Sequence, residues 1–183
     1  MDPKSDKILT AAFELLRQRG FRKVTMSDIA EAAGMSRPTL YAAFSNKEAI
    51  LAGLALRQRV RGDGEIASRL PRTRSLEARL TIVFDVSIVA PAASVMGSPH
   101  GLDLLANMDT YAPEACDEVY AHFEDHLVAL LAPAMKTGAT MSARDLAHIM
   151  ALATRGLKAS TTTATELRRM TDGLIAMAVA TAS

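Results

Sequence analysis

The sequence contains no tryptophan, three tyrosines and five phenylalanines, so aromatic residues make up only 4% of its 183 positions. A core built from this chain must rest on aliphatic side chains. A flat polyaromatic cation is a poor match for it, and an aliphatic or mixed ligand is the better expectation. There is one cysteine, Cys116. It cannot close an internal bridge, which excludes a disulfide scaffold and fits a reducing cytosol. No apolar run follows Asp2-Pro3-Lys4-Ser5-Asp6, so no secretory leader is expected. The most apolar stretch, Leu80 to Met96, is interrupted by Asp85, Ser87, Pro91 and Ser94. It falls short of the ~20 apolar residues of a membrane span and reads as a buried helix followed by a break. A cytoplasmic protein without a membrane partner is expected. No serine-histidine-aspartate spacing, phosphate loop or paired-carboxylate site is evident, so neither an enzyme nor a cofactor is expected.

The net charge of +1 carries no bias toward nucleic acid as a total, but it is a sum. Residues 1–61 hold eleven Lys/Arg and six Asp/Glu, and residues 62–183 hold ten and fourteen. The first part is therefore +5 and the second −4, an asymmetry that points to a basic module joined to a different one. Nearly every segment has helical period and none alternates as a strand. Helices are expected over 4–19, 26–33, 37–43, 46–61, 75–90, 100–109, 113–132, 142–159 and 163–182, with a short turn over 64–70. Breaks are expected at Gly20, Gly34, Gly62/Gly64, Pro71, Pro91 to Pro99, and Gly138. Capping boxes mark several starts: Thr25 with Asp28, Ser45 with Glu48, Ser142 with Asp145, and Thr163 with Glu166. Pro113 marks another, because the first turn of a helix does not use its N–H groups. The fold class is all-α with about nine helices. The division falls near Gly62, giving units 1–61 and 62–183.

Residues 24–44 place two short helices around a tight turn. Gly34 supplies the left-handed conformation that ends the first. Ile29, Ala30 and Ala33 form an apolar face on one helix, and Leu40 and Phe44 form one on the other. This is a helix-turn-helix, whose second helix can lie in the DNA major groove. Ser36 is its expected N-cap. Arg37 and Thr39 lie in the first turn beside Pro38, and Arg37 can donate two hydrogen bonds to guanine. Tyr41 can reach a phosphate or serve in packing. Ala42 and Ala43 offer only methyl contacts. Thr25 and Lys47 flank helix N-termini, which favour anions. The same motif used for packing or protein contact, without DNA, is the competing reading.

The run Ile8-Leu-Thr-Ala-Ala-Phe-Glu-Leu-Leu, then Gly20-Phe, Val24-Thr, Asp28-Ile-Ala, Ala33-Gly-Met-Ser, Thr39-Leu-Tyr and Phe44-Ser-Asn-Lys-Glu-Ala-Ile-Leu resembles the TetR/AcrR family of bacterial transcription regulators. The resemblance covers about residues 5–56. It implies an all-α homodimer, with a small-molecule pocket and the dimer interface in the C-terminal part. It implies phosphate contacts at Thr25, Tyr41 and Lys47, and base reading by the helix carrying Arg37, Pro38 and Thr39. The chain departs from many relatives at Ala42 and Ala43, so base readout leans on Arg37 and DNA shape. The expected function is a repressor released from a pseudo-palindromic operator by a small apolar ligand. The alternative is an effector-independent assembly protein that binds another protein through its C-terminal part.

Residues 63–183 carry no motif of their own. Seven of the ten methionines lie beyond residue 90 and suit either an adaptable pocket or an ordinary core. The expected ligand-facing residues are Phe84, Ile88, Met96, Leu104, Met108, Tyr111 and Phe123. Asp85 reads as part of a solvated stripe or as a pocket acid. Past Gly173 the last helix is apolar nearly all round, so a second subunit is the simplest cover. The expected dimer face comprises Ile149, Ala153, Leu157, Leu167, Leu174, Met177 and Ala178, with an internal core as the alternative. His122 and His126 share a helix face with Glu118 one turn earlier. That spacing can hold a metal, but no further ligand set accompanies it, so a solvated polar face is expected and no metal. Cys116 reads as an inert core residue, with a redox switch as the alternative.

Overall fold

Most of the helices begin where a side chain accepts from backbone N–H groups that have no helical partner; those that start at Gly101 and Pro113 have no such cap. The computed structural model describes residues 2–137 and 139–182, and the regular elements among them are all helical. The expected break at Gly138 lies outside the described residues. Helix α1 spans Pro3–Arg19, α2 Met26–Ala32, α3 Arg37–Ala43 and α4 Lys47–Arg69, the last followed by a tight turn at Leu70–Arg72. Helix α5 spans Leu76–Met96, α6 Gly101–Tyr111, α7 Pro113–Leu131, α8 Ala143–Ser160 and α9 Ala164–Ala182. The capping box at Thr25 forms in full with Asp28, whereas Ser142 and Thr163 cap their helices by accepting from the Asp145 and Glu166 N–H groups without the return bond to their own backbone. The expected box at Ser45 does not form. Asn46 caps α4 instead, accepting from the Ala49 N–H at 2.7 Å.

One expected break is absent, and the one expected over Pro91 to Pro99 falls only at its end, between Met96 and Gly101. Helix α4 runs through Gly62 and Gly64 to Arg69, so the proposed unit boundary lies inside a continuous helix. Gly62 serves a close approach rather than a turn, since a Cβ there would sit 3.2 Å from Val86 Cγ1 of α5. Helix α5 likewise continues past Pro91. A wide turn at Asp85–Val89, closed by the Ala90 N–H donating to the Asp85 carbonyl, precedes the proline. This shift of hydrogen-bond register accommodates a residue that has no N–H and would clash with a regular preceding turn. The unbroken helix is long and apolar enough to cross a membrane by length and composition. Here Leu80, Val83, Phe84, Val86, Ile88, Val89, Ala92 and Val95 of α5 are buried.

The core has two parts. Ile8, Leu16, Val24, Ile29, Leu40 and Ile50 pack around the first four helices, joined by Leu104 of α6 and by Ala112. Ile66, Leu80, Phe84, Phe123, Leu127, Met150, Leu167 and Ile175 pack the remainder. Phe84 and Phe123 meet edge to face, with centroids 5.0 Å apart. Two residues expected on the dimer face belong to this interior: Leu167 and Ala178 are wholly buried within the protomer. They lie on the inner flank of α9, opposite its exposed stripe. Asp85 is not among the residues lining the cavity and stands partly exposed. It accepts from Arg168 Nη1 at 2.6 Å and ties α5 to α9.

Candidate nucleic-acid interface and ligand cavity

The turn between α2 and α3 is set by Gly34 at φ +61°, with the Met35 N–H donating to the Ala30 carbonyl. Ser36 caps α3, its Oγ accepting from the Thr39 N–H at 3.3 Å and lying 2.8 Å from Thr39 Oγ1. Leu40 is buried beneath the helix, and this single anchor turns Arg37, Pro38, Thr39, Ala42 and Ala43 outward to solvent. Tyr41 is 52% exposed and stands with them rather than in the core. The Thr25 hydroxyl is exposed and engaged in its cap, donating to Asp28 Oδ2 at 2.6 Å. The first turn of α3 thus offers a guanidinium and a hydroxyl on a surface with no competing intramolecular ion pair for Arg37 among the described contacts.

Lys47 holds a position that spacing did not reveal. Its ammonium donates to the Phe21 carbonyl at 2.6 Å and lies 4.4 Å from the Phe21 ring centroid. Phe21 in turn stacks on Tyr111 of α6, centroids 4.1 Å apart. Lys47 therefore braces the α1–α2 turn against the start of α4. Lys47→Ala is expected to lower folding stability by about 1 kcal/mol through the lost charge-assisted bond, which urea unfolding of the variant measures.

A cavity of about 500 Å³ lies between α4, α5, α6 and α7. Ile88, Leu104, Met108 and Phe123 line it, as do Val95 and Tyr120. Three residues expected there lie elsewhere. Phe84 is buried behind Phe123, Met96 packs against the C-terminal core, and Tyr111 stacks on Phe21 in the N-terminal core. Helical period placed them on the same helices but could not tell which flank faced the void. The cationic residues near the cavity were missed altogether. Arg57 and Arg61 both donate to Asp6 Oδ1 of α1 at 3.1 Å, joining the cavity wall to the first helix. Their i, i+4 spacing was the available signal. Tyr120 is 6% exposed, and its hydroxyl is buried without a hydrogen-bond partner. Lys158 lies beside it, 5.0 Å from the ring centroid, and its charge partly offsets the burial that raises the Tyr120 phenol.

Cys116 also lines this cavity. Burial pushes its thiol up to about 11, so little thiolate forms at neutral pH and the residue is inert. Alkylation by iodoacetamide at pH 8 is expected to run about 100-fold slower than for an exposed thiol. Rapid labelling in the folded protein would contradict this burial.

His122 and His126 do not form a solvated polar face. Both imidazoles are half-buried and converge on Asp63 of α4, with Nε2 atoms 2.7 Å and 3.1 Å from its Oδ1. Glu118 is not part of this cluster, and no sequence spacing pointed to a residue 59 positions away. Burial raises the Asp63 carboxyl, but hydrogen bonds from the two imidazoles outweigh it and hold the group below the usual carboxylate range.

Comparison with known proteins agrees with this geometry. Residues 8–54 match the sequence model of the family described as bacterial regulatory proteins, tetR family. The HTH-type transcriptional repressor ComR of Escherichia coli is 29% identical over 113 residues, 61% of this chain and 53% of the repressor. The matched stretch therefore spans about half of that relative. The fatty acid degradation regulator FadR from Bacillus halodurans has the same fold, with a TM-score of 0.75 at 21% identity over 96% of this chain and 95% of its own. Thermus thermophilus FadR, a transcriptional repressor solved in complex with lauroyl-CoA, aligns with a TM-score of 0.64 at 20% identity, covering 93% and 92% of the two chains.

Proposed function

We propose that this chain, which belongs to the TetR family of bacterial DNA-binding transcriptional regulators, acts in the cytoplasm as a homodimeric repressor released from a pseudo-palindromic operator by a small apolar ligand. The observation that carries the reading is the single helix α4. Its N-terminus lies beside the reading helix α3, and 10 to 16 residues further on Arg57, Gly62 and Asp63 line the cavity. At 23 residues it is about 35 Å long. A ligand that reshapes the cavity therefore acts on the same rigid element that positions the DNA reader. It shifts the DNA-competent population only by its differential affinity for the two arrangements.

The unit holding residues 1–61 reads DNA, and residues 62–183 pair and sense. Arg37 reads guanine while Thr25, Tyr41 and Lys47 meet phosphates. In a two-fold dimer the two α3 helices address major grooves roughly 34–36 Å apart. Support for the pairing face comes from α8 and α9. Ile149, Leu152, Met170 and Met177 are exposed apolar residues there, and a Cβ at Gly156 or Gly173 would meet nothing within 4 Å. The ligand suited to the cavity is an aliphatic body with one polar end, which the buried Tyr120 hydroxyl and Lys158 would meet. The lauroyl chain of the Thermus complex is a molecule of this general character. A filled C-terminal core would have favoured the effector-independent assembly reading.

Footprinting on DNA flanking the coding region tests the function, with a protected pseudo-palindrome as the expected result. Protection without sequence preference would contradict it. Arg37→Ala is expected to weaken the best operator by about 1–3 kcal/mol and to relax preference at one base pair per half-site. An unchanged affinity would remove its guanine role. Lys47→Ala is expected to weaken all sequences alike and reduce the salt slope by about one per contact. An unchanged slope would leave Lys47 only its bracing role.

A further inference from the structure

We propose that Asp63, His122 and His126 bind one divalent transition-metal ion, of the class that takes imidazole and carboxylate donors, at the wall of the cavity. The three side chains come from two helices, and their donor atoms all lie within 4.8 Å of one another. Around a tetrahedral zinc ion, with bonds of about 2.0–2.1 Å, neighbouring donors stand roughly 3.3 Å apart. Two of the three separations here are already 2.7 Å and 3.1 Å, so side-chain adjustment of about an ångström admits an ion.

The placement is built by the fold. His122 and His126 lie four residues apart on α7, so one helix face presents both rings, which meet nearly edge to face at 4.8 Å. Asp63 arrives from α4 because Gly62 beside it allows that helix to approach Val86 closely. With neutral imidazoles the cluster carries one negative charge, which favours a doubly charged cation over an anion. Two nitrogens and one oxygen suit zinc, nickel or cobalt better than calcium or magnesium, which prefer all-oxygen shells. Three protein donors leave a coordination position open. Asp63 and His122 both line the cavity, so a donor atom on a cavity ligand, or a water, completes the shell. The ion would also pin α4 to α7 through bonds stronger than the present hydrogen bonds.

The test titrates zinc into chelator-stripped full-length protein by calorimetry, and follows cobalt by its visible absorption. The expected result is one ion per chain with micromolar or tighter affinity, and cobalt bands characteristic of a low-coordinate nitrogen and oxygen site. His122→Ala and His126→Ala are each expected to lose at least about 100-fold in affinity, and Asp63→Asn at least about 10-fold. His100→Ala and His148→Ala, at the other two histidines of the chain, should leave binding unchanged. Should the alanine variants unfold, His126→Gln keeps a hydrogen-bond donor toward Asp63 and tests the same loss. Zinc should raise the melting temperature of the parent protein and not that of the His126 variant. Absence of stoichiometric binding in the parent, or undiminished binding after loss of both imidazoles, overturns the site.

Discussion

Leu152→Glu combined with Met177→Glu is expected to split the proposed homodimer into monomers and to weaken operator binding by at least about 100-fold. Both residues are more than half exposed in the protomer, at 56% and 60%. Their replacement therefore costs little within one chain, since surface changes of this kind stay near ±0.5 kcal/mol. At a two-fold interface each substitution occurs twice, setting four carboxylates into an apolar contact where burial of an unpaired charge costs several kcal/mol. Operator affinity falls because two linked half-site readers gain about 10²–10⁴ over one. Sedimentation at micromolar concentration and a gel shift on the footprinted operator give the two readouts, with circular dichroism confirming the helices. A dimer that persists in the double variant would move the pairing face off α8 and α9.

The second large effect concerns Gly101→Ala. A Cβ at this position would lie 1.7 Å from the Val95 carbonyl oxygen and 2.7 Å from Ser98 Oγ. The first of these neighbours is backbone near the end of α5, which cannot swing aside as a side-chain tip can. The start of α6 must move away from α5, at an expected cost of about 3 kcal/mol or more, above the usual range for overpacking. Because Leu104 and Met108 of the same helix line the cavity while Leu104 and Ala112 close the N-terminal core, the displacement should also reduce operator binding in the fraction that folds. Urea unfolding measures the first effect. A loss under 1 kcal/mol would show that the α5–α6 junction is looser than this contact implies.

The reading helix was legible because its determinants are local. Ser36 caps it, Pro38 fits its first turn, Gly34 supplies the positive φ before it, and Leu40 fixes which face turns inward. All of these lie within seven residues, so spacing alone orients Arg37. The cavity was legible only by helix. Ile88, Leu104, Met108 and Phe123 line it, whereas Phe84, Met96 and Tyr111 on the same helices do not. An apolar residue on a helix between two cores is buried either way, and periodicity does not say whether its neighbour is a side chain or a void. The outer apolar stripe shows the same limit. Leu167 and Ala178 were expected outside and lie inside, while Leu152 was not singled out and is exposed.

The glycines and prolines misled for a related reason. Gly62 and Pro91 are breakers by propensity, yet α4 and α5 continue through both. Packing of α4 against Val86 outweighs the roughly 1 kcal/mol cost of a helical glycine, and the wide turn at Asp85–Val89 removes the clash a proline would make.

By itself the sequence determined an all-helical chain with a basic N-terminal module, the helix-turn-helix within it, and the residues that its second helix turns outward. These follow from caps, turns and charge that act over one or two helical turns. Only the tertiary structure decided that Lys47 braces Phe21, that Arg57 and Arg61 join the cavity wall to α1, and that Asp63 meets His122 and His126. Each of these is a meeting of polar groups on separate helices, many residues apart in the chain. Such meetings are set by how the helices cross, which local pattern does not encode.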